Sequence, residues 1–235
     1  MEVPGVKISL AGIRVVRGDW SLSAEGTFEE GIHLVSGDVG SGKSTLALLL
    51  ADLFCPAAGT VERENILSAM IAFQFPEFHI SGQDLESECK TWGVDPDTVL
   101  AYACLAEQKN ANPLDLSRGE LKRLVLACVL ARHYDLLILD EPFSSLDCTE
   151  KERLCAVLSK RKNGITIIFT HEQTHFPRVN RIWEVKDGAL HDRGQLPSAL
   201  VRWDHAPAVV KDLIAREKIP ANISQSDLQE AACRI

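Results

Sequence analysis

No apolar run in this 235-residue chain comes near the roughly 18–20 residues that span a bilayer. The longest candidates, residues 46–50 and 136–139, have the length of core elements. A basic excess is missing too. Lys and Arg number 25 against 33 Asp and Glu, a net charge of −8 that argues against a protein wrapping duplex nucleic acid. The seven cysteines include no C-x-x-C pair, and their odd number speaks for reduced, mostly buried thiols rather than a disulfide framework. Met1-Glu2-Val3-Pro4 has neither the basic start nor the apolar stretch of a signal peptide. The expectation is a cytoplasmic protein, free or docked on a membrane through a partner. Internal repeats and low-complexity segments are also lacking. With 46% hydrophobic and 25% charged residues, disordered and fibrous classes are excluded. The length suits one core plus an appendage.

What is present is alternation. Residues 8–15 open a β-rich segment, and 32–35 form a short apolar run ending at a glycine. Helical patterns follow at 44–53, 84–92, 97–108, 121–128 and 149–162, with strand patterns at 69–73, 136–139 and 165–169. Residues 181–185 and 189–191 flank Lys186-Asp187-Gly188, a hairpin signal. Strand–helix alternation predicts an α/β fold with a largely parallel sheet. From about residue 196 two short helical stretches, near 209–216 and 226–232, predict a helical appendage.

Gly37-Asp38-Val39-Gly40-Ser41-Gly42-Lys43-Ser44-Thr45 fits the P-loop pattern, between a strand pattern and a helix pattern. Glycines let successive amides close around phosphate oxygens, and the helix N-terminus adds its partial positive charge. Lys43 supplies a full charge for the β- and γ-phosphates, and the Ser44 hydroxyl is a hard oxygen ligand for Mg²⁺. Asp140 and Glu141 stand at the exit of the buried strand 136–139, the end that faces the ligand crevice in α/β sheets. Asp140 is the candidate to hold the metal, and Glu141 the candidate to activate water.

Kinases, GTPases, helicases and recombinases share those two motifs. Further segments distinguish the chain: Gln74; Leu116-Ser117-Arg118-Gly119-Glu120; Ser144-Ser145-Leu146-Asp147; and His171 just after strand 165–169. Each has a bland reading. Ser117-x-x-Glu120 and Asp147-x-x-Glu150 are also capping boxes, and a lone histidine after a strand is commonplace. In order, however, the set resembles the ATP-binding-cassette (ABC) ATPases over most of residues 1–190. Intervals of 31 residues from Lys43 to Gln74, 43 to Ser117, 23 to Asp140 and 31 to His171 make a compact version.

The resemblance implies a P-loop NTPase core of residues 1–195, with an antiparallel β part and a helical subdomain at about 77–133. A C-terminal helical extension would span residues 196–235. It implies ATP and Mg²⁺ as cofactors. Residues 37–45 and Gln74 are the implied nucleotide contacts, and Ser44, Gln74 and Asp140 the implied metal set. Glu141, His171 and Lys43 are the implied catalytic residues. Ser117, Gly119, Glu120 and Asp147 would complete the site of a second cassette in trans, so catalysis implies a dimer. Arg118 departs from the family's usual glycine, where a side chain either crowds the phosphate or adds charge to it. Adenine stacking is left open among Trp20, Arg14 and Arg17, and the span from Lys43 to Gln74 suggests a shortened β part.

Phe73-Gln74-Phe75-Pro76-Glu77 and the tail Val209-Val210-Lys211-Asp212-Leu213 are similar to energy-coupling-factor (ECF) importers, including the cobalt and nickel type. That likeness implies a detachable ATPase on the inner face of the cell membrane, beneath a transmembrane coupling protein, with no nucleic-acid partner. Its cargo would be a vitamin or a transition-metal ion. The alternatives are a non-transport ABC ATPase of DNA repair or chromosome organisation, a small P-loop kinase, and a non-enzymatic regulatory subunit.

Overall fold

A computed structural model describes residues 5–233, so the reading of Met1-Glu2-Val3-Pro4 lies outside the described residues. Among the described residues nine strands form one sheet: β1 (Lys7–Arg17), β2 (Trp20–Glu29), β3 (Gly31–Gly37), β4 (Ala58–Glu64), β5 (Ala69–Ala72), β6 (Leu136–Asp140), β7 (Ile165–Phe169), β8 (Arg181–Lys186) and β9 (Ala189–Gln195). Their spatial order is β4-β1-β2-β9-β8-β3-β7-β6-β5. Strands β8, β3, β7, β6 and β5 run parallel to their neighbours in that list. The β4-β1-β2 wing is antiparallel, as is the β8-β9 hairpin.

The central strands are buried on both faces. β6 and β7 are buried at every position, as expected of parallel strands covered by helices. One core packs α1 (Lys43–Leu50) and the wing against one face, with Ile8, Phe28, Leu46, Leu50, Ile138 and Ile167 among its members. The opposite core joins Leu137, Leu139 and Ile168 to Leu154, Trp203, Val210 and Ile223, so the C-terminal stretch is packed into the main body. A third core lies among α2 (Leu85–Thr91), α3 (Pro96–Tyr102) and α4 (Arg118–Leu130), built on Leu85, Val99, Leu100, Leu121 and Leu124.

Several elements are shorter than their apolar patterns suggest. Leu50 ends α1 because Asp52 takes a left-handed turn at φ 64°. The stretch 97–108 is broken: Cys104 is left-handed at φ 58°, Leu105 dives into the helical core, and Ala106–Gln108 form a separate 3₁₀ turn. α5 (Cys148–Leu158) stops four residues early, where the Ser159 hydroxyl donates to the Cys155 carbonyl at 2.7 Å and Asn163 and Gly164 turn the chain into β7. The tail forms a 3₁₀ turn at Ser198–Arg202, then α6 (Ala208–Ala215) and α7 (Gln225–Cys233). The expectation of mostly buried thiols is corrected. All seven are unbridged, but only Cys89 and Cys128 are buried, whereas Cys55, Cys104, Cys148 and Cys233 sit exposed at turns and helix ends.

Candidate nucleotide site

Three central strands deliver the site. Their register sets Val35 of β3 beside Phe169 of β7, and Phe169 beside Asp140 of β6. The segments after those residues therefore leave the sheet at one level: the P-loop, the acid pair, and Thr170-His171. That edge is the carboxyl end of the parallel strands, where α/β sheets hold ligands.

The P-loop conformation depends on glycine at two points. Gly37 has φ 152°, and a Cβ there would stand 2.5 Å from the Val185 carbonyl oxygen. Gly42 caps α1 with φ 109°, and a Cβ would sit 2.4 Å from the Trp20 ring. The loop is thus clamped between β8 and the wing. Lys43 is buried, and its Nζ donates to the carbonyls of Gly37 at 2.8 Å and Asp38 at 3.0 Å. Burial lowers its pKa, opposed by the charges of Glu141, Asp140 and Asp38.

Glu141 is buried at φ 47°, a left-handed conformation that costs a non-glycine residue on the order of 1–3 kcal/mol. Its carboxylate is held from three sides. The Thr170 hydroxyl donates to Oε2 at 3.1 Å, the His171 amide to the same oxygen at 3.3 Å, and His171 Nδ1 meets Oε1 at 2.7 Å. Lys43 Nζ lies 3.9 Å from Oε1. Such restraint suits a general base, whose reach must be fixed before its basicity matters.

Asp140 is also buried, and its Oδ1 has no hydrogen-bond partner. Burial raises its pKa; the Ser44 hydroxyl bonds to the carboxylate and opposes the rise, and the Glu141 charge adds to it. An orphaned buried carboxylate oxygen beside a hydroxyl is the donor chemistry that fits a hard divalent cation. Asp140 does not itself line the adjoining cleft, but Ser44, to which it is bonded, does, as does Gln74, which adds an amide oxygen.

The cleft has a volume of about 410 Å³, within the range of small-molecule sites. It brings together Val39, Gly40, Gly42, Lys43, Ser44 and Thr45 with Gln74, Glu141 and His171, and it is walled by Trp20 and Arg17. Arg14 does not line it. Arg17 holds its guanidinium 4.8 Å from the Phe54 ring centroid, so Trp20 is the aromatic surface facing the P-loop.

Ser117, Gly119, Glu120 and Asp147 are not among the residues that line this cleft. Ser117 caps α4: its hydroxyl donates to Glu120 Oε2 at 2.6 Å and accepts from the Glu120 amide at 3.3 Å. Asp147 caps α5 in the same reciprocal way with Glu150. Both capping boxes are real, and both leave the segments exposed on the surface. Arg118 turns toward the Gln74 segment, with Nε 3.8 Å from Glu77 and its guanidinium 5.9 Å from the Phe75 ring.

Three groups escaped the sequence reading. Thr170 steadies Glu141, yet a threonine after a strand gives no signal. Lys122 is buried on α4 and donates to the carbonyls of Phe73 and Gln74. Its signal was present: Lys122, Val125, Leu126 and Val129 share an i, i+3, i+4, i+7 spacing, and a lysine on an apolar stripe has to find partners. His205 contacts Asp38 across a long sequence distance.

Residues 25–144 match the sequence pattern of the ABC transporter family. The chain is 30% identical to the energy-coupling factor transporter ATP-binding protein EcfA2 of Thermotoga maritima, over 85% of this chain and 86% of that one. It is 32% identical to EcfA1 of the same organism, over 79% and 80% of the two chains. Among solved structures, cbiO1 of Clostridium perfringens, part of the ABC transporter complex cbiONQ, superposes with a TM-score of 0.67 at 21% identity, covering 89% of this chain and 94% of that one. A bacterial Atm1-family ABC exporter with ATP bound gives 0.74 at 18% identity, over 92% of this chain and 43% of that one. At those identities the structural likeness speaks for the fold.

Proposed function

The chain belongs to the ABC transporter family, and from that premise we propose that it is the ATP-hydrolysing subunit of an importer of the energy-coupling-factor type. As a family member it binds ATP and is an ATPase. The observation that carries the mechanism is the meeting of Lys43, Glu141 and His171 in one cleft while the Ser117 turn stays outside it. A chain so built holds a triphosphate and lacks its lid.

The P-loop amides, Lys43 and the α1 N-terminus hold the phosphates. Glu141 accepts the proton of the attacking water, and Thr170 and His171 fix its carboxylate for that task. Ser44, Asp140 and Gln74 would hold Mg²⁺, which when bound screens the phosphate charge. Trp20 offers its ring to the base. Ser117 and Gly119, at the N-terminus of α4, complete the neighbour's site through a hydroxyl and backbone amides. Glu120 and Asp147 shape those turns by capping.

The importer type rests on the names of the curated relatives and on the Gln74 segment. Phe75 and Phe78 are exposed beside Gln74, at one end of the helical region 77–133. That region serves to pass the nucleotide state to a transmembrane coupling protein. Among the described residues no helix is long and apolar enough to cross a membrane. The working place is the inner face of the membrane, with a second cassette, identical or related. Residues 1–195 carry the catalysis and 196–235 extend it.

ATPase rate measured against protein concentration tests this reading. Specific activity should rise with concentration as dimers form, then level off. A specific activity independent of concentration down to nanomolar protein, in a chain shown to be monomeric there, would overturn the two-chain site.

A further inference from the structure

Trp203-Asp204-His205 lie between the 3₁₀ turn Ser198–Arg202 and α6, with Trp203 167 residues downstream of Ser36, yet they touch both sides of the P-loop's entry. Trp203 Nε1 donates to the Ser36 hydroxyl at 2.7 Å, and both side chains are buried. Ser36 Oγ in turn donates to the Trp183 carbonyl of β8 at 3.3 Å. Two residues on, His205 Nε2 lies 2.9 Å from Asp38 Oδ1.

The other side of His205 is fixed by Glu184 of β8, which is fully buried. Glu184 Oε1 accepts the His205 backbone amide at 2.8 Å and the ring Nδ1 as well, while Oε2 accepts Arg193 Nε at 2.6 Å. Both ring nitrogens therefore face carboxylates, which only accept. A neutral imidazole donates from one nitrogen only, so this pair of contacts requires the imidazolium.

Asp38 joins the tail to the catalytic lysine. Its carboxylate meets His205, and its main-chain carbonyl accepts Lys43 Nζ at 3.0 Å and the Ser41 amide at 3.1 Å. Asp38 does not line the cleft, but its charge reaches Lys43, so an acidic side chain at this point of the P-loop is electrostatically adverse to a bound triphosphate unless a cation answers it. The other charges nearby are already engaged. Asp204 bridges Lys186 at 2.8 Å and Arg193 at 2.9 Å, and Arg193 also serves Glu184. His205 is the cation left for Asp38.

We propose that His205, in its charged form, is a positioning residue of the nucleotide site: it pins Asp38, cancels that carboxylate's charge beside the phosphates, and so ties ATP affinity to the C-terminal extension. The proposal rests on the reading of residues 37–45 as an ATP site. Burial works against the charge on His205, but the hydrogen bonds to Glu184 and Asp38 raise its pKa above the ordinary histidine value of 6.5. Deprotonation then occurs above that pH, and it leaves Asp38 unanswered next to a polyanion.

The test is binding of the fluorescent analogue mant-ADP with Mg²⁺ to the full chain from pH 6.5 to 9, where the nucleotide's own charge is nearly constant. Wild type, His205→Gln, Asp38→Asn and the double variant are compared, each with its melting temperature. Wild-type Kd should rise about fivefold across the range, the order expected for one partly screened charge. His205→Gln should start at the weaker value and stay flat relative to wild type. Asp38→Asn should show a smaller pH step than wild type, and adding His205→Gln to it should change little. A merely structural histidine would weaken binding equally in both backgrounds, and that result overturns the proposal. Should His205→Gln fail to fold, Asp38→Asn decides alone, since its side chain is 83% exposed: Lys122 titrates in this range in both chains, so a pH step as large as wild type's overturns the proposal and a smaller one supports it. A wild-type chain that takes up no mant-ADP at any pH overturns the ATP-site reading itself, and this proposal with it.

Discussion

Lys122 Nζ lies 3.1 Å from the carbonyl oxygen of Gln74 and 3.2 Å from that of Phe73. A buried cation on the helix capped by Ser117 thus holds the base of the segment carrying Gln74. Two surfaces assigned to different partners are tied together inside one chain.

Lys122→Met keeps the stem and removes the donor. It strands two part-buried carbonyls and should lower the unfolding free energy by about 1–3 kcal/mol at pH 7. Burial holds the Lys122 pKa down to about 8, against 10.5 in the unfolded chain. Between those values the unfolded chain binds the extra proton, so this group makes wild-type stability climb as pH rises from 8 toward 10.5. Denaturant titrations at pH 7.5 and 9.5 should show that climb in wild type and its loss in Lys122→Met.

Glu141→Gln should slow ATP turnover by about 10²-fold or more while nucleotide binding stays within a few-fold of wild type. Thr170→Ala removes one of the three bonds on the carboxylate and should cost kcat about 3–10-fold, the order of one hydrogen bond. Single-turnover hydrolysis with a parallel binding titration separates these effects. A Glu141→Gln chain hydrolysing at the wild-type rate would refute the base.

Ser117→Arg and Glu141→Gln should each abolish turnover alone. Mixed, they form dimers in which one site has both an intact base and an intact serine. Random pairing restores about one quarter of wild-type activity, because half the dimers are mixed and each has one good site. No recovery on mixing would mean that both residues serve the same chain's nucleotide.

Trp20→Ala should weaken ATP binding by about tenfold, the order of one aromatic stacking contact, with Trp20→Phe retaining most of the affinity. Nucleotide addition should also change Trp20 fluorescence. Equal affinities for all three chains would remove Trp20 from the base site.

His33 accepts the Trp183 indole N–H at Nδ1, 3.1 Å away, and its Nε2 donates to the Glu29 carbonyl at 2.7 Å. Burial drives its pKa down to about 4 from 6.5. Between those values the unfolded chain takes up a proton that the native state refuses. Stability is therefore lost as pH falls from 6.5 toward 4, by up to about 1.4 kcal/mol per pH unit from this group. Unfolding curves of wild type and His33→Gln at pH 5 and pH 7 should differ by that slope.

The meeting of Lys43, Glu141 and His171 in one cleft was largely legible in the sequence because its parts are local. A P-loop, an acid pair and a histidine each sit at a strand exit, and apolar runs mark the strands. The parallel core and the β8–β9 hairpin followed from the same runs. Helix ends were misplaced where left-handed residues intervene, since Asp52 and Cys104 carry no composition that announces a positive φ. The long-range partners were invisible for a different reason. His205 and Asp38, or Lys122 and Gln74, meet only after the sheet has brought distant segments together, and a single sequence holds no record of that meeting. The capping boxes at Ser117 and Asp147 show a third case, in which the bland reading is satisfied in full and a role in a neighbour's site is not thereby removed.

The level exits of Val35, Phe169 and Asp140 have a mechanical consequence. Spacing among the lysine, the acid pair and the histidine is written into ladder hydrogen bonds of β3, β7 and β6, neighbouring parallel strands of the sheet core. Peripheral stretches such as the wing tip, the Cys104 turn or the tail helices can accumulate substitutions while those side chains keep their stations.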